Sequence, residues 1–181
     1  MVDEFTSILY LVVAPAAADY PNPDLQSSYI SGSQQSGSPG VATVFVLLDF
    51  YDSFHDKVEY FKSLANELKT VRFILTNLPG QLGTQFNPNR NTVLNNYYHA
   101  QIFDLLISHL HDKGIVNFME GHSDYSIVGF GSGANIALYY LKEMLMNDTT
   151  SAIKSLVLIN PFTNIDQNMV ASLNNIMAAA E

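Results

Sequence analysis

The 181-residue sequence contains no cysteine. That absence excludes disulfides, thiolate metal sites and cysteine nucleophiles together. Basic residues are also scarce: 8 Lys and Arg face 17 Asp and Glu, for a formal net charge of −9. Nucleic acid and anionic membrane surfaces both need a basic footprint, so neither is expected as a partner. No apolar run approaches the ~18 residues of a membrane span. The apolar stretch Ile8 to Ala18 is preceded by Asp3 and Glu4 and by no Lys or Arg. A signal peptide needs a basic leading segment, so the stretch reads as a first strand and the expected location is cytoplasmic.

What is present is a globular composition, 48% hydrophobic, with enough length for one domain and its core. Three parts are expected: an N-terminal strand region (1–20), a Ser/Gly/Pro-rich loop or linker (21–40), and a domain over 41–181. The loop, "PNPDLQSSYISGSQQSGSPG", has almost no apolar content. From Val41, "VATVFVLLDF" is an unbroken apolar run ending near Asp49, as a strand buried on both faces reads. "DKVEYFKSLANEL" (Asp56 to Leu68) sets Val58, Phe61, Leu64, Ala65 and Leu68 at helical spacing. Strands follow at Thr70 to Leu78, at "YSIVGF" and at Ile153 to Phe162. Helices are expected at Leu94 to Gly114, at "GANIALYYLKEMLM" and near the C-terminus over "QNMVASLNNIMAAA". The alternation predicts an α/β fold with a mostly parallel sheet covered by helices on both faces. In such sheets chemistry gathers at the carboxyl ends of the strands, which carry Asp49, Asn77, Gly129 to Gly133 and Asn160 to Asp166.

The order of these elements, with "VFVLLDFYDSFHDKVEYFKSLANEL", "TVRFILTNLPGQLGT", "YSIVGFGSGANIAL" and "IKSLVLINPF", resembles the α/β-hydrolase superfamily over about Val41 to Asp166. The resemblance implies that the sheet stops after the nucleophile-elbow helix and one further strand. It also implies an elbow at Gly129 to Gly133, where small residues two before and two after the nucleophile let the strand and helix backbones pass. In that frame Gly129 and Gly133 are the flanking residues and the nucleophile position is Gly131, which has no side chain. Ser132 follows one residue later; as a nucleophile it would put Phe130 where a small residue is required. Its other reading is a serine of the first helical turn that bonds locally or lines a small cavity. Where the superfamily has His-Gly at the oxyanion strand, this sequence has Asp49-Phe50, so that Phe50 would crowd a backbone donor and Asp49 would repel an oxyanion. Asn77 stands where an aspartate is usual.

The five histidines, His55, His99, His109, His111 and His122, all precede the last strand, and the superfamily places its catalytic base after it. Asp166 could supply an acid but has no nucleophile and base to serve. His109 and His111, two apart on a helix, cannot chelate from one face, so no metal is expected, nor any other cofactor. Within the superfamily the motifs Pro79-Gly80-Gln81, "GFGSGA" and Leu156 to Asn160 are similar to those of the N-myc-downstream-regulated proteins, regarded as non-catalytic members. That similarity implies a catalytically inactive domain serving protein interaction or scaffolding. Two alternatives stay open: a divergent serine esterase or lipase using Ser132, and a small-molecule binder whose vestigial pocket is lined by Asp49, Phe50, Asn77, Gly131 and Ser132. The apolar strand at Ile153 to Asn160 would form an unpaired sheet edge, from which a protein partner, self-association or a longer polypeptide is expected.

Overall fold

A computed structural model describes residues 8–15, 42–81, 84, 95–116, 125–146 and 153–161. Five strands and three helices follow in the order β1 (Leu9–Val13), β2 (Ala42–Leu47), α1 (Phe54–Leu68), β3 (Val71–Asn77), α2 (Asn96–Asp112), β4 (Tyr125–Phe130), α3 (Ser132–Met146) and β5 (Ile153–Ile159). They form one sheet of spatial order β1-β3-β2-β4-β5, in which β1 alone runs antiparallel to its neighbour. This is the mostly parallel α/β architecture read from the sequence. The Ser/Gly/Pro-rich loop, the expected C-terminal helix, His122 and Asp166 lie outside the described residues.

From Val44 onward β2 is continuously apolar because both of its faces are covered. Phe45 and Leu47 point into a core shared with α2 and α3, among Ile74, Phe103, Leu110, Ile127, Ile136 and Tyr140. Val46 and Leu48 point the opposite way, toward Phe54, Phe61 and Ala65 of α1. The molecule is therefore a three-layer sandwich with one described helix on one face and two on the other. Phe45 is wholly buried and meets Phe103 and Tyr125 edge-on at centroid separations of 5.4 and 5.3 Å, a favoured geometry for aromatic quadrupoles.

Capping sets the helix starts slightly away from where the apolar spacing alone would put them. The Ser53 hydroxyl accepts from His55 N at 3.2 Å, so α1 begins at Phe54, two residues before the expected Asp56. Asn95 Oδ1 accepts from Tyr98 N at 2.8 Å and starts α2 at Asn96. Gly114, expected as an end cap, has φ +70° just beyond the C-cap Lys113.

The connections fix where a site belongs. From β2 the chain crosses through α1 to β3 on one side. From β4, the neighbour of β2, it crosses through α3 to β5 on the other. The crevice beyond the carboxyl ends of β2 and β4 is thus the topological switch point of the sheet, the position at which open α/β sheets hold ligands. Register places Leu47 opposite Gly129, so Asp49 and Gly131 leave their strands at the same level.

Candidate functional site at the β4–α3 corner

The corner is tight. A Cβ built on Gly129 would lie 2.5 Å from Ala134 Cα and 2.7 Å from Gly133 O, and one on Gly133 would run into the Leu47 carbonyl. The two flanking glycines therefore let α3 start directly against the ends of β4 and β2. Gly131, between them, has φ +52°, a left-handed conformation that L side chains rarely adopt. Its N–H donates to Ile159 O at 2.8 Å, which ties the corner to the end of β5.

The carboxylate of Asp49 fills the remaining space. Its Oδ1 accepts from Phe50 N at 2.7 Å, from Ser132 N at 3.0 Å and from Ser132 Oγ at 2.8 Å. A Cβ on Gly131 would collide with Asp49 Cγ and Oδ2. The side chain of residue 49 thus occupies the volume that a side chain at residue 131 would need. It rests on amides from the loop after β2 and from the first residue of α3, where a helix N-terminus favours negative charge.

Asp49, Phe50, Gly131 and Ser132 are therefore brought together, with two differences from the sequence expectation. Phe50 does not crowd the donor: its ring turns outward, 39% exposed and edge-on to Tyr51, while its N–H faces inward. Ser132 does not bond locally, since its hydroxyl reaches a carboxylate 83 positions away in sequence. Asn77 is wholly buried, and its Oδ1 accepts from Phe54 N at 3.3 Å, which joins the end of β3 to the start of α1.

The Pro79-Gly80-Gln81 turn contributes a residue that the sequence marks only as part of a motif. Gln81 is 4% exposed. Its Oε1 accepts from Leu78 N at 2.6 Å, and its Nε2 donates to Leu48 O at 3.2 Å and Asp49 O at 3.4 Å. One amide side chain thereby braces the backbone that carries Asp49. The signal available in the sequence was a glutamine directly after a Pro-Gly turn at a strand's carboxyl end.

The described histidines sit in α1 and α2. His55 is exposed in α1, and His109 and His111 are exposed in the last turn of α2. His99 is buried, its Nε2 2.8 Å from Pro79 O and its Nδ1 3.0 Å from Asn95 O. Burial lowers its pKa below the ordinary 6.5, although both carbonyl contacts favour the charged ring. The unfolded chain therefore binds this proton first on acidification, and stability falls as pH drops below about 6.5. We expect the thermal midpoint of the wild type to decline over that range and the decline to be shallower in His99→Gln, as read by circular dichroism at stepped pH. Among the described residues no group of three or more His, Asp or Glu side chains could hold a metal ion, and no helix is long and apolar enough to cross a membrane.

No protein-family model matches the chain, and no curated protein matches it. Solved structures do. A "probable hydrolytic enzyme" from Pseudomonas aeruginosa PAO1 superposes with a TM-score of 0.56 at 17% identity, covering 86% of this chain and 37% of that one. An α/β-hydrolase enzyme from a Medee basin deep-sea metagenome library gives 0.53 at 14% identity, covering 84% and 40%. An esterase from Exiguobacterium antarcticum gives 0.55 at 17% identity, covering 87% and 42%. The chain thus has the α/β-hydrolase fold, and it spans less than half the length of each of these three structures.

Proposed function

We propose that this chain is an α/β-hydrolase-fold domain that does not hydrolyse esters and acts in the cytoplasm as a protein-interaction or scaffold module, in the manner of the N-myc-downstream-regulated proteins that its motifs resemble. One observation carries the reading. The amide donors at the corner already hold the Asp49 carboxylate, and the residue beneath it, Gly131, has nothing to attack with. Acyl transfer needs those donors free for the oxyanion that develops in the transition state. The hydroxyl of Ser132 is itself engaged with the same carboxylate.

A surface feature supports the interaction half. β5 is an edge strand of the described sheet, and Val157 and Ile159 on one of its faces are 47% and 36% exposed. Edges of this kind are normally covered.

The test is fluorophosphonate labelling of the purified chain beside Ser132→Ala. No labelling of either is expected. Labelling of the wild type that disappears in Ser132→Ala would establish the esterase reading instead and overturn this one.

A further inference from the structure

We infer that Asp49 is a built-in ligand of the corner: its carboxylate closes the site from within by taking the place of an external small carboxylate. The first observation is the donor set. Two backbone N–H groups and one hydroxyl converge on a single oxygen, Asp49 Oδ1, at 2.7 to 3.0 Å. Charge-assisted bonds of this kind are about twice as strong as neutral ones. The second observation is steric and independent of the first. The carboxylate fits only because residue 131 lacks a Cβ, and that glycine holds φ +52°. Asp49 and Gly131 therefore form one device: the carboxylate can sit on these donors because residue 131 has no Cβ to occupy its place.

Removing the Asp49 side chain should leave the two N–H donors in place and unoccupied, because they belong to backbone held by β2, by Gln81 and by α3 rather than by the carboxylate itself, with the Ser132 hydroxyl beside them. The vacated space then suits a carboxylate no larger than formate. The inference shares its geometry with the proposed non-hydrolytic function but stands or falls separately. Labelling of the wild type by a fluorophosphonate would overturn that function and leave the formate result untouched, whereas the outcomes below decide only the role of Asp49.

The experiment is a thermal-midpoint titration of the full 181-residue chain with sodium formate, against sodium chloride at equal ionic strength. Asp49→Ala should melt below the wild type and recover in formate, saturably, by about 2–4 °C or more, while chloride does not reproduce the effect. The wild type should be indifferent to the choice of anion. Asp49→Asn, which keeps the shape and one acceptor oxygen, should be indifferent as well. An Asp49→Ala protein that melts like the wild type, that responds equally to both anions, or that stays unfolded in formate overturns the inference. The steric half has its own measurement: Gly131→Ala should lower the midpoint more in the wild type than in the Asp49→Ala background. Equal losses in the two backgrounds would overturn the pairing.

Discussion

Gly133→Ala should cost about 3 kcal/mol or more and lower the thermal midpoint by roughly 6–12 °C, the largest effect expected of a methyl group added at any of the three corner glycines. The added Cβ would meet the Leu47 carbonyl, with Leu47 C and Leu48 O both at 2.6 Å. Every one of those atoms is backbone at the end of the central strand, so no side chain can rotate to make room. Relief requires moving the first turn of α3 away from β2, which stretches the Ser132–Asp49 contacts and pulls Ala134 from its wholly buried seat. Position 133 is inside a helix, where alanine is intrinsically preferred to glycine by about 1 kcal/mol. A measured loss would thus be net of that gain, and a neutral or stabilising Gly133→Ala would show that α3 can retreat from the sheet. Chemical denaturation read by circular dichroism decides between them. Ala134→Gly provides the contrast: it removes a buried methyl without adding a contact, and it should cost less.

The same geometry explains how much of the fold was legible in the sequence. The unbroken run Val44 to Leu48 reads as a strand buried on both faces, and the structure buries Phe45 and Leu47 on one side, Val46 and Leu48 on the other. Helix starts differ from the expected ones by two residues because Ser53 caps α1 from before its expected start, whereas Asn95 caps α2 from one residue inside the expected stretch. Glycine spacing at 129, 131 and 133 locates the corner, since close backbone approach leaves a mark in sequence as missing side chains. What fills the corner was not legible. Asp49 and Ser132 meet through the parallel register of β2 and β4, and nothing local to either residue records that register. Asp49 therefore reads in sequence as a group that would repel an oxyanion, when in the structure it is the anion held there. Gln81 escapes a role for the same reason: its partners, Leu48 O and Asp49 O, lie more than thirty positions away.

Raising the pH above about 10 should destabilise the protein through two buried phenols on the opposite side of the sheet from α1. Tyr125 and Tyr140 are each 2% exposed, their hydroxyl oxygens are 2.8 Å apart, and Tyr140 Oη donates to Asp104 Oδ1 at 3.4 Å. That direction leaves Tyr125 as the donor to Tyr140. Burial pushes the Tyr125 phenol from 10.0 up to about 12, against a smaller lowering by its bond to Tyr140 and with a further rise from the Asp104 charge. Burial likewise raises Tyr140, reinforced by Tyr125 and then by Asp104. In the unfolded chain both phenols ionise near 10, so between 10 and 12 the folded state holds more protons than the unfolded one. Stability therefore falls with rising pH across that window and is fully present below it. For Tyr125 alone the loss reaches about 2–3 kcal/mol by the top of the window, because each tenfold difference in proton affinity between the folded and unfolded chain is worth ~1.4 kcal/mol. Tyr140→Phe removes one of the two titrations and should flatten the alkaline decline. It should also cost about 1–3 kcal/mol at neutral pH, because Tyr125 loses the oxygen it donates to while remaining buried. Denaturation midpoints of the two proteins from pH 8 to pH 12 check both statements. Parallel declines would mean that solvent reaches these hydroxyls, and that the packing of α2 and α3 over Tyr125 is looser than the burial of Phe103, Leu106 and Ala137 implies.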